Sequence, residues 1–353
     1  MHGRVQLQRA YYYCQRCHQS RCPYDEVLGL VDEVSPGLRP LVCLAGTLLP
    51  FQHAAEDVLR RFANVRLSAS TVLRCTEAAG ERLRALLKEG RMLQPPQPER
   101  GWTAAREGAQ PAAYVGLDAF SVPMQGPGAG PAEHRMLYTA LLYTPDKKHS
   151  RYLVDFDLDT LAAQVRAQAT ACGLPAVANL IAITDGGNGL EAALQRHLAD
   201  DLTTVLDWYH AAEHVSAFAK VLHAQDEPAQ QAWAGQAQGI LYEQGGAALL
   251  AHLAALELPP QPSAALREAR RLLVGYFEHN RHRTDYPTYR AQGWDIGSGP
   301  TEAGCKIIGE RLKGSGMRWV EDGAATVAAL RALYVSSGKL WDALWDVSPT
   351  LPA

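Results

Sequence analysis

Three carboxylates in this chain sit where they could do chemistry together. Asp118 ends the short apolar run Tyr114 to Asp118, and Asp185 ends the run Leu180 to Asp185. Glu302 falls in the first turn of a helix that follows Gly297-Ser298-Gly299-Pro300. Carboxylates at the carboxyl ends of strands in an open sheet converge on one edge, where ligands bind. A negative charge in the first turn of a helix is favoured by the positive end of its dipole. Gathered within ~4 Å, such groups repel by several kcal/mol each, so a cluster calls for a divalent cation. An oxygen donor set suits Mg²⁺ or Mn²⁺. Two such ions ~4 Å apart activate an attacking water or 3′ hydroxyl on one side and stabilise the leaving oxygen on the other. That is phosphodiester chemistry. With 37 acidic residues in the chain, position alone does not single out any one of the three.

Two further patterns compete for attention. His210-Ala211-Ala212-Glu213-His214 spells the H-x-x-E-H pattern of a zinc metalloprotease, with two imidazoles on one helical face and a Glu beside them, but no third ligand is evident. Cys14, Cys17, His18 and Cys22 are candidate ligands for a compact tetrahedral Zn²⁺ site. Cys14 to His18 also spells a c-type haem attachment, which needs an exported protein. Cys43, Cys75, Cys172 and Cys305 are scattered and read as thiols of a reducing compartment.

The elements that must position these groups follow from periodicity. Residues 1–30 hold the cysteine knuckle behind a short extended run ending at Tyr13. Residues 40–90 carry apolar positions at helical spacing, with Ala54, Val58 and Phe62 in one helix and Val72, Ala79, Leu83 and Leu87 in the next. Asn64 to Ala69 is the turn between them, Ser70 the expected cap, and Thr71 to Thr76 the candidate recognition segment of a helix-turn-helix unit; the alternative is an ordinary helical hairpin. Residues 91–112, with four prolines, form a linker. Strands at Tyr114 to Asp118, Met136 to Tyr143 and Arg151 to Phe156 precede an alternation of helices and strands through Leu222. Residues 113–223 and 291–346 are therefore expected to form one α/β unit with a mixed sheet, interrupted by an all-helical insertion at 224–290.

Composition narrows the function classes. In 353 residues, 34 Lys plus Arg against 37 Asp plus Glu give a net charge of -3, with 47% hydrophobic residues. This excludes a wholly disordered or collagen-like chain and a small disulfide scaffold, and argues against coating nucleic acid through bulk charge. The first residues lack the apolar core of a secretory signal, and the longest apolar stretch, Leu41 to Phe51, is well short of the ~20 residues of a membrane span. A cytoplasmic protein is expected, nucleoid-associated if it acts on DNA.

Four motifs in order resemble those of DDE-type bacterial insertion-sequence transposases of the ISKra type. They are Val115-Gly-Leu-Asp118-Ala-Phe120, Ile183-Thr-Asp185-Gly-Gly187, Leu206-Asp207-Trp-Tyr-His210-Ala-Ala-Glu213-His214, and Ile296 through Lys306 continuing to Arg311-Leu-Lys-Gly-Ser-Gly-Met-Arg-Trp319. The resemblance implies a ribonuclease H-like core in which Asp118, Asp185 and Glu302 bind two Mg²⁺ (or Mn²⁺) ions. Asp207 and His210 match a secondary Asp-x-x-His signature; His210 either contacts DNA near the cleavage point or supports the triad from the sheet edge. The gaps of 67 and 117 positions leave room for the insertion between Asp185 and Glu302. Tyr11 to Cys17 resembles the second knuckle of the family's zinc ribbon, with His18 where a Gly is usual and no Cys-x-x-Cys pair before it. The implied activity is DNA cleavage at element ends followed by strand transfer. Its partners are terminal inverted repeats and target DNA, bound by a homo-oligomer. The alternative is a truncated, catalytically inactive DNA-binding remnant.

Local charge is consistent with such partners. Residues 1–24 carry Arg4, Arg9, Arg16 and Arg21 and no acid; six Arg between Arg267 and Arg290 face three acids; Lys306, Arg311, Lys313 and Arg318 face Glu310. Phosphate contacts from such patches give affinity without sequence preference, the alternative being solvated helix faces. Trp319 offers a ring to stack on an unpaired base, or a core residue.

Overall fold

In β3 (Ala112–Val122), Ala112 and Tyr114 enter one apolar layer while Ala113, Val115 and Leu117 enter the layer on the other face. A strand buried on both sides reads as a continuous apolar run rather than an alternation. The computed structural model describes residues 8–96, 99, 101–102, 111–130, 132–174, 179–187, 189–198 and 202–345. Arg4 lies outside them, as does part of the 91–112 segment.

The chain begins with a small antiparallel ladder, β1 (Tyr12–Tyr13) with β2 (Ser20–Arg21), and helix α1 (Pro23–Val27). Helix α2 (Arg39–Leu48) follows, then α3 (Phe51–His53), which runs into a π-helical stretch Ala54–Phe62, and α4 (Ala69–Lys88). The cap of α4 is Ser68, whose Oγ accepts from Thr71 N at 3.1 Å, and not Ser70 as expected. Within Thr71 to Thr76, Val72, Cys75 and Thr76 are buried where α4 packs on α2 and on the later helix Glu321–Val335, in one core with Phe120, Leu137 and Val154 of the sheet, while Arg74 is exposed.

The sheet comprises β3, β4 (Arg135–Tyr143), β5 (Ser150–Asp155), β6 (Asn179–Thr184) and β7 (Leu202–Leu206), in the order β5-β4-β3-β6-β7. The first three strands form an antiparallel meander, and β6 and β7 run parallel to β3. Helices α5 (Leu158–Ala171) and α6 (Leu190–Leu198) cover one face. On the other lie α7 (Trp208–Leu222), α8 (Glu227–Gln244), α9 (Gly246–Ala255), α10 (Ala264–His279) and α11 (Tyr286–Ala291). The chain returns through α12 (Gly299–Leu312), α13 (Glu321–Val335) and α14 (Leu340–Trp345). The fold is thus mixed α/β with a five-stranded mixed sheet, as expected. The expected end of the first strand at Asp118 is corrected: β4 pairs with β3 as far as Val122↔Arg135, whereas parallel pairing with β6 stops at Leu117↔Thr184. Asp118 therefore sits in mid-strand where β6 departs.

One buried ion pair ties the 91–112 segment to the sheet. Glu99 Oε2 accepts from Arg151 Nη2 at 2.5 Å and from Trp102 Nε1 at 2.9 Å. Burial works to raise the Glu99 carboxyl, but the Trp102 and Arg151 donors outweigh it and hold it below its ordinary value. Glu99→Ala strands a buried guanidinium and is expected to cost about 3 kcal/mol at pH 7. A depressed carboxylate stabilises above its unfolded pKa, ~4.3, and loses that contribution as pH falls through the folded value. Urea unfolding should therefore show the gap between wild type and variant closing below about pH 4.

Candidate active site

The opening between β3 and β6 is built from both strands and the first turn of α12. Gly116 allows this approach: a Cβ there would collide with the buried Thr301 side chain, so α12 starts directly on β3, two residues from Asp118. Asp118 is half-buried, and its Oδ1 accepts from Ala119 N at 2.7 Å. Cys305, one turn beyond Glu302, lies against it. Burial, and then the Asp118 carboxylate, push the Cys305 thiol well up, so it stays protonated at neutral pH.

Asp185 follows β6 directly, one register step from Asp118's neighbour, and its Oδ1 accepts from Gly187 N at 3.2 Å. Arg283 braces this tip from the insertion, donating to Thr184 Oγ1 at 2.8 Å and to the Asp185 carbonyl at 3.2 Å. Arg283, counted in the basic stretch Arg267 to Arg290, is buried and structural.

Asp207, fully buried, holds the two helix starts together. Its Oδ1 caps α7 by accepting from Tyr209 N at 2.8 Å. Its Oδ2 accepts from Ser298 N at 3.3 Å and from the Ser298 hydroxyl. Ser298 Oγ lies 3.3 Å from Glu302 Oε1. The result is a group of three: Asp207, His210 and Glu302 each offer a ligand atom within 4.8 Å of the others. Ser298 is the residue that sequence reasoning passed over as part of a turn. Its signal was local, a hydroxyl at the N-cap one turn before an acidic residue.

Asp118, His210, Glu213, Glu302, Lys306, Glu310 and Lys313 line one open cleft of about 690 Å³. Asp185 is not among its lining residues. The structure thus brings Asp118 and Glu302 to a common cleft, joins Glu302 to Asp207 and His210, and leaves Asp185 at the adjoining strand tip. Lys306 and Lys313 are exposed on the rim, the Lys313 ammonium 4.8 Å from the centre of the Phe120 ring. Arg318 is exposed beyond α12.

Two expected DNA contacts are corrected. Arg311 is buried, donating Nε and Nη2 to the Gly46 carbonyl at 3.1 and 2.9 Å, with its guanidinium over the Phe51 and Trp319 rings. Trp319 is also buried; its indole donates to Leu312 O at 2.9 Å and its backbone bridges to the segment after β3. The two side chains close the core between α2 and α12 and present nothing to a nucleic acid.

The other metal patterns are not assembled among the described residues. His214 stacks on Tyr276 with ring centres 4.0 Å apart, while His210 belongs to the Asp207 and Glu302 group. Cys14, Cys17, His18 and Cys22 form no converging set of three ligands. His18 adopts a positive φ of 54° and its Nδ1 is 2.9 Å from the Tyr13 hydroxyl. A left-handed residue at that point explains why a glycine suits such a knuckle.

No helix among the described residues is long and apolar enough to cross a membrane. Comparison with protein-family models finds none that matches, and no curated protein sequence matches the chain.

Proposed function

We propose that this chain is a DDE-type transposase, an enzyme that cuts DNA at insertion-sequence ends and joins the freed 3′ hydroxyl to target DNA. The observation that carries this reading is that Asp118 and Glu302, from distant parts of the chain, line one open cleft whose rim bears Lys306 and Lys313. A mixed sheet with a helical insertion between Asp185 and Glu302 suits a ribonuclease H-like core.

The donor set fits a hard divalent ion. It consists of carboxylate oxygens and the His210 imidazole. Asp118, Asp185 and Glu302 would hold Mg²⁺ or Mn²⁺. When bound, such ions supply an activated hydroxyl nucleophile and stabilise the leaving oxygen. The chain's own contribution is positional. Asp207 and Ser298 hold the start of α12, and with it Glu302, against α7. Arg283 holds the β6 tip that carries Asp185. Lys306 and Lys313 take DNA phosphates at the rim, and two copies pair the two element ends.

The decisive experiment is incubation of the protein with duplex DNA bearing the ends of its element, with and without Mg²⁺, scored for nicks and joined products. End binding without nicking would instead indicate the inactive DNA-binding remnant. The rim carries its own prediction: Lys306→Ala and Lys313→Ala each weaken DNA binding and lower the slope of log affinity against log salt by about 1. Fluorescence anisotropy across a salt series checks this, and an unchanged slope in both removes the rim from the DNA path.

A further inference from the structure

We infer that a second cavity, between α4 and the end of α14, is an anion site that takes a phosphoryl group. It has a volume of about 180 Å³, the space of about six waters. Arg74 and Arg82 stand two helical turns apart on one face of α4, and Arg39 begins α2; all three line the cavity, with Asp32, Leu344 and Trp345. Among the described residues, three guanidinium groups against one carboxylate give it a formal surplus of two positive charges.

The existing partners do not satisfy these donors. Asp32 engages Arg74 alone, accepting from its Nε at 3.1 Å. Arg39 spends Nη2 on the Gly29 carbonyl, while its Nε is buried without an acceptor. Trp345 Nε1, in the wall of the same cavity, is likewise buried without an acceptor. Arg82 is exposed and makes no ion pair or hydrogen bond among the described residues. Buried donors are ordinarily paired, so two orphans beside surplus charge indicate a missing acceptor.

The acceptor's chemistry follows from the donors. A guanidinium presents a planar fork that grips two oxygens at once. A phosphoryl group offers such forks two unesterified oxygens in a diester and three in a monoester. The apolar wall of Leu344 and Trp345 accommodates the organic part of an ester. The phosphoryl group has two sources, the backbone of bound DNA or a free phosphate compound. None of the cavity's residues belongs to the candidate active site, so the site itself does not rest on the transposase reading; only the DNA source does.

The test uses the full chain in EDTA, where no metal-dependent cleavage occurs. Inorganic phosphate is titrated at constant ionic strength against chloride, and the thermal midpoint and tryptophan fluorescence are followed for wild type, Arg82→Ala and Lys306→Ala. Duplex DNA binding is measured across a salt series for the same proteins. If free phosphate is the ligand, it raises the wild-type midpoint, Arg82→Ala weakens its apparent affinity at least about tenfold, and Lys306→Ala leaves it unchanged. If the DNA backbone is the source, inorganic phosphate has no effect, and Arg82→Ala lowers the salt slope of DNA binding by about 1. Wild type and Arg82→Ala that match in both phosphate response and salt slope overturn the proposal. Failure of the transposase reading would appear elsewhere, as an absence of Mg²⁺-dependent nicking with this site intact.

Discussion

Glu302→Gln is expected to lower metal-dependent nicking by about a thousandfold, equivalent to about 4 kcal/mol of transition-state stabilisation. The change keeps the size and shape of the side chain and removes only its charge. Its surroundings, Ser298 Oγ at 3.3 Å and the neighbouring Asp207 and His210, tolerate an amide. Fold and DNA binding should therefore survive, and a circular dichroism melt with an anisotropy titration verifies both. Asp118→Asn should behave alike, because Asp118 lines the same cleft. Nicking at the wild-type rate by either variant would overturn the assignment. Asp185→Asn is the informative third member. It lies outside the cleft lining with Oδ1 on Gly187 N, and an equal loss there would show that the β6 tip joins the site when metal and DNA are bound.

Arg311→Ala is expected to cost about 3 kcal/mol of stability while leaving the salt dependence of DNA binding unchanged. The reason lies in how α2 ends. The carbonyl of Gly46 would ordinarily accept from the residue four places on, but that residue is Pro50, which has no N–H. Arg311 fills the gap with two donors and lies over the Phe51 and Trp319 rings at 4.8 and 5.2 Å. Burial, and then Arg331, push its pKa down to about 10, so it remains charged at pH 7. No carboxylate pairs with it among the described residues. Arg311→Met, which fills the volume without a buried charge, should recover part of the loss. Urea unfolding reads the difference as a shifted midpoint at constant slope. A fully stable Arg311→Ala with a reduced salt slope would return this residue to the DNA surface.

Much of the architecture was legible because it depends on local period. The apolar run before Asp118, the helical spacing from Val72 to Leu87, and the Ala-rich segments from Ala224 to Tyr289 each declare their element within a dozen residues, whereas Phe62, expected on an apolar helical face, ends a π-helical stretch and is exposed. Boundaries were less legible. β3 runs past Asp118 because β4 pairs with it there, and Ser68 rather than Ser70 caps α4. The near-neutral total of -3 likewise concealed an uneven distribution of charge, which places Lys306 and Lys313 on the rim of an acidic cleft.

By itself, then, the sequence determined the order and type of the main elements and which of them carry Asp118, Asp185 and Glu302. Only the tertiary structure decided which side chains meet. Asp207 reaches Ser298 across 91 positions and Arg311 reaches Gly46 across 265. Period and propensity report on neighbours within a few turns, so contacts at such separations leave no local trace. For the same reason a basic residue such as Arg311, with Lys306 and Lys313 on either side of it in sequence, could read as surface. Its place in the core is set by an unpaired carbonyl on a helix that is distant in sequence.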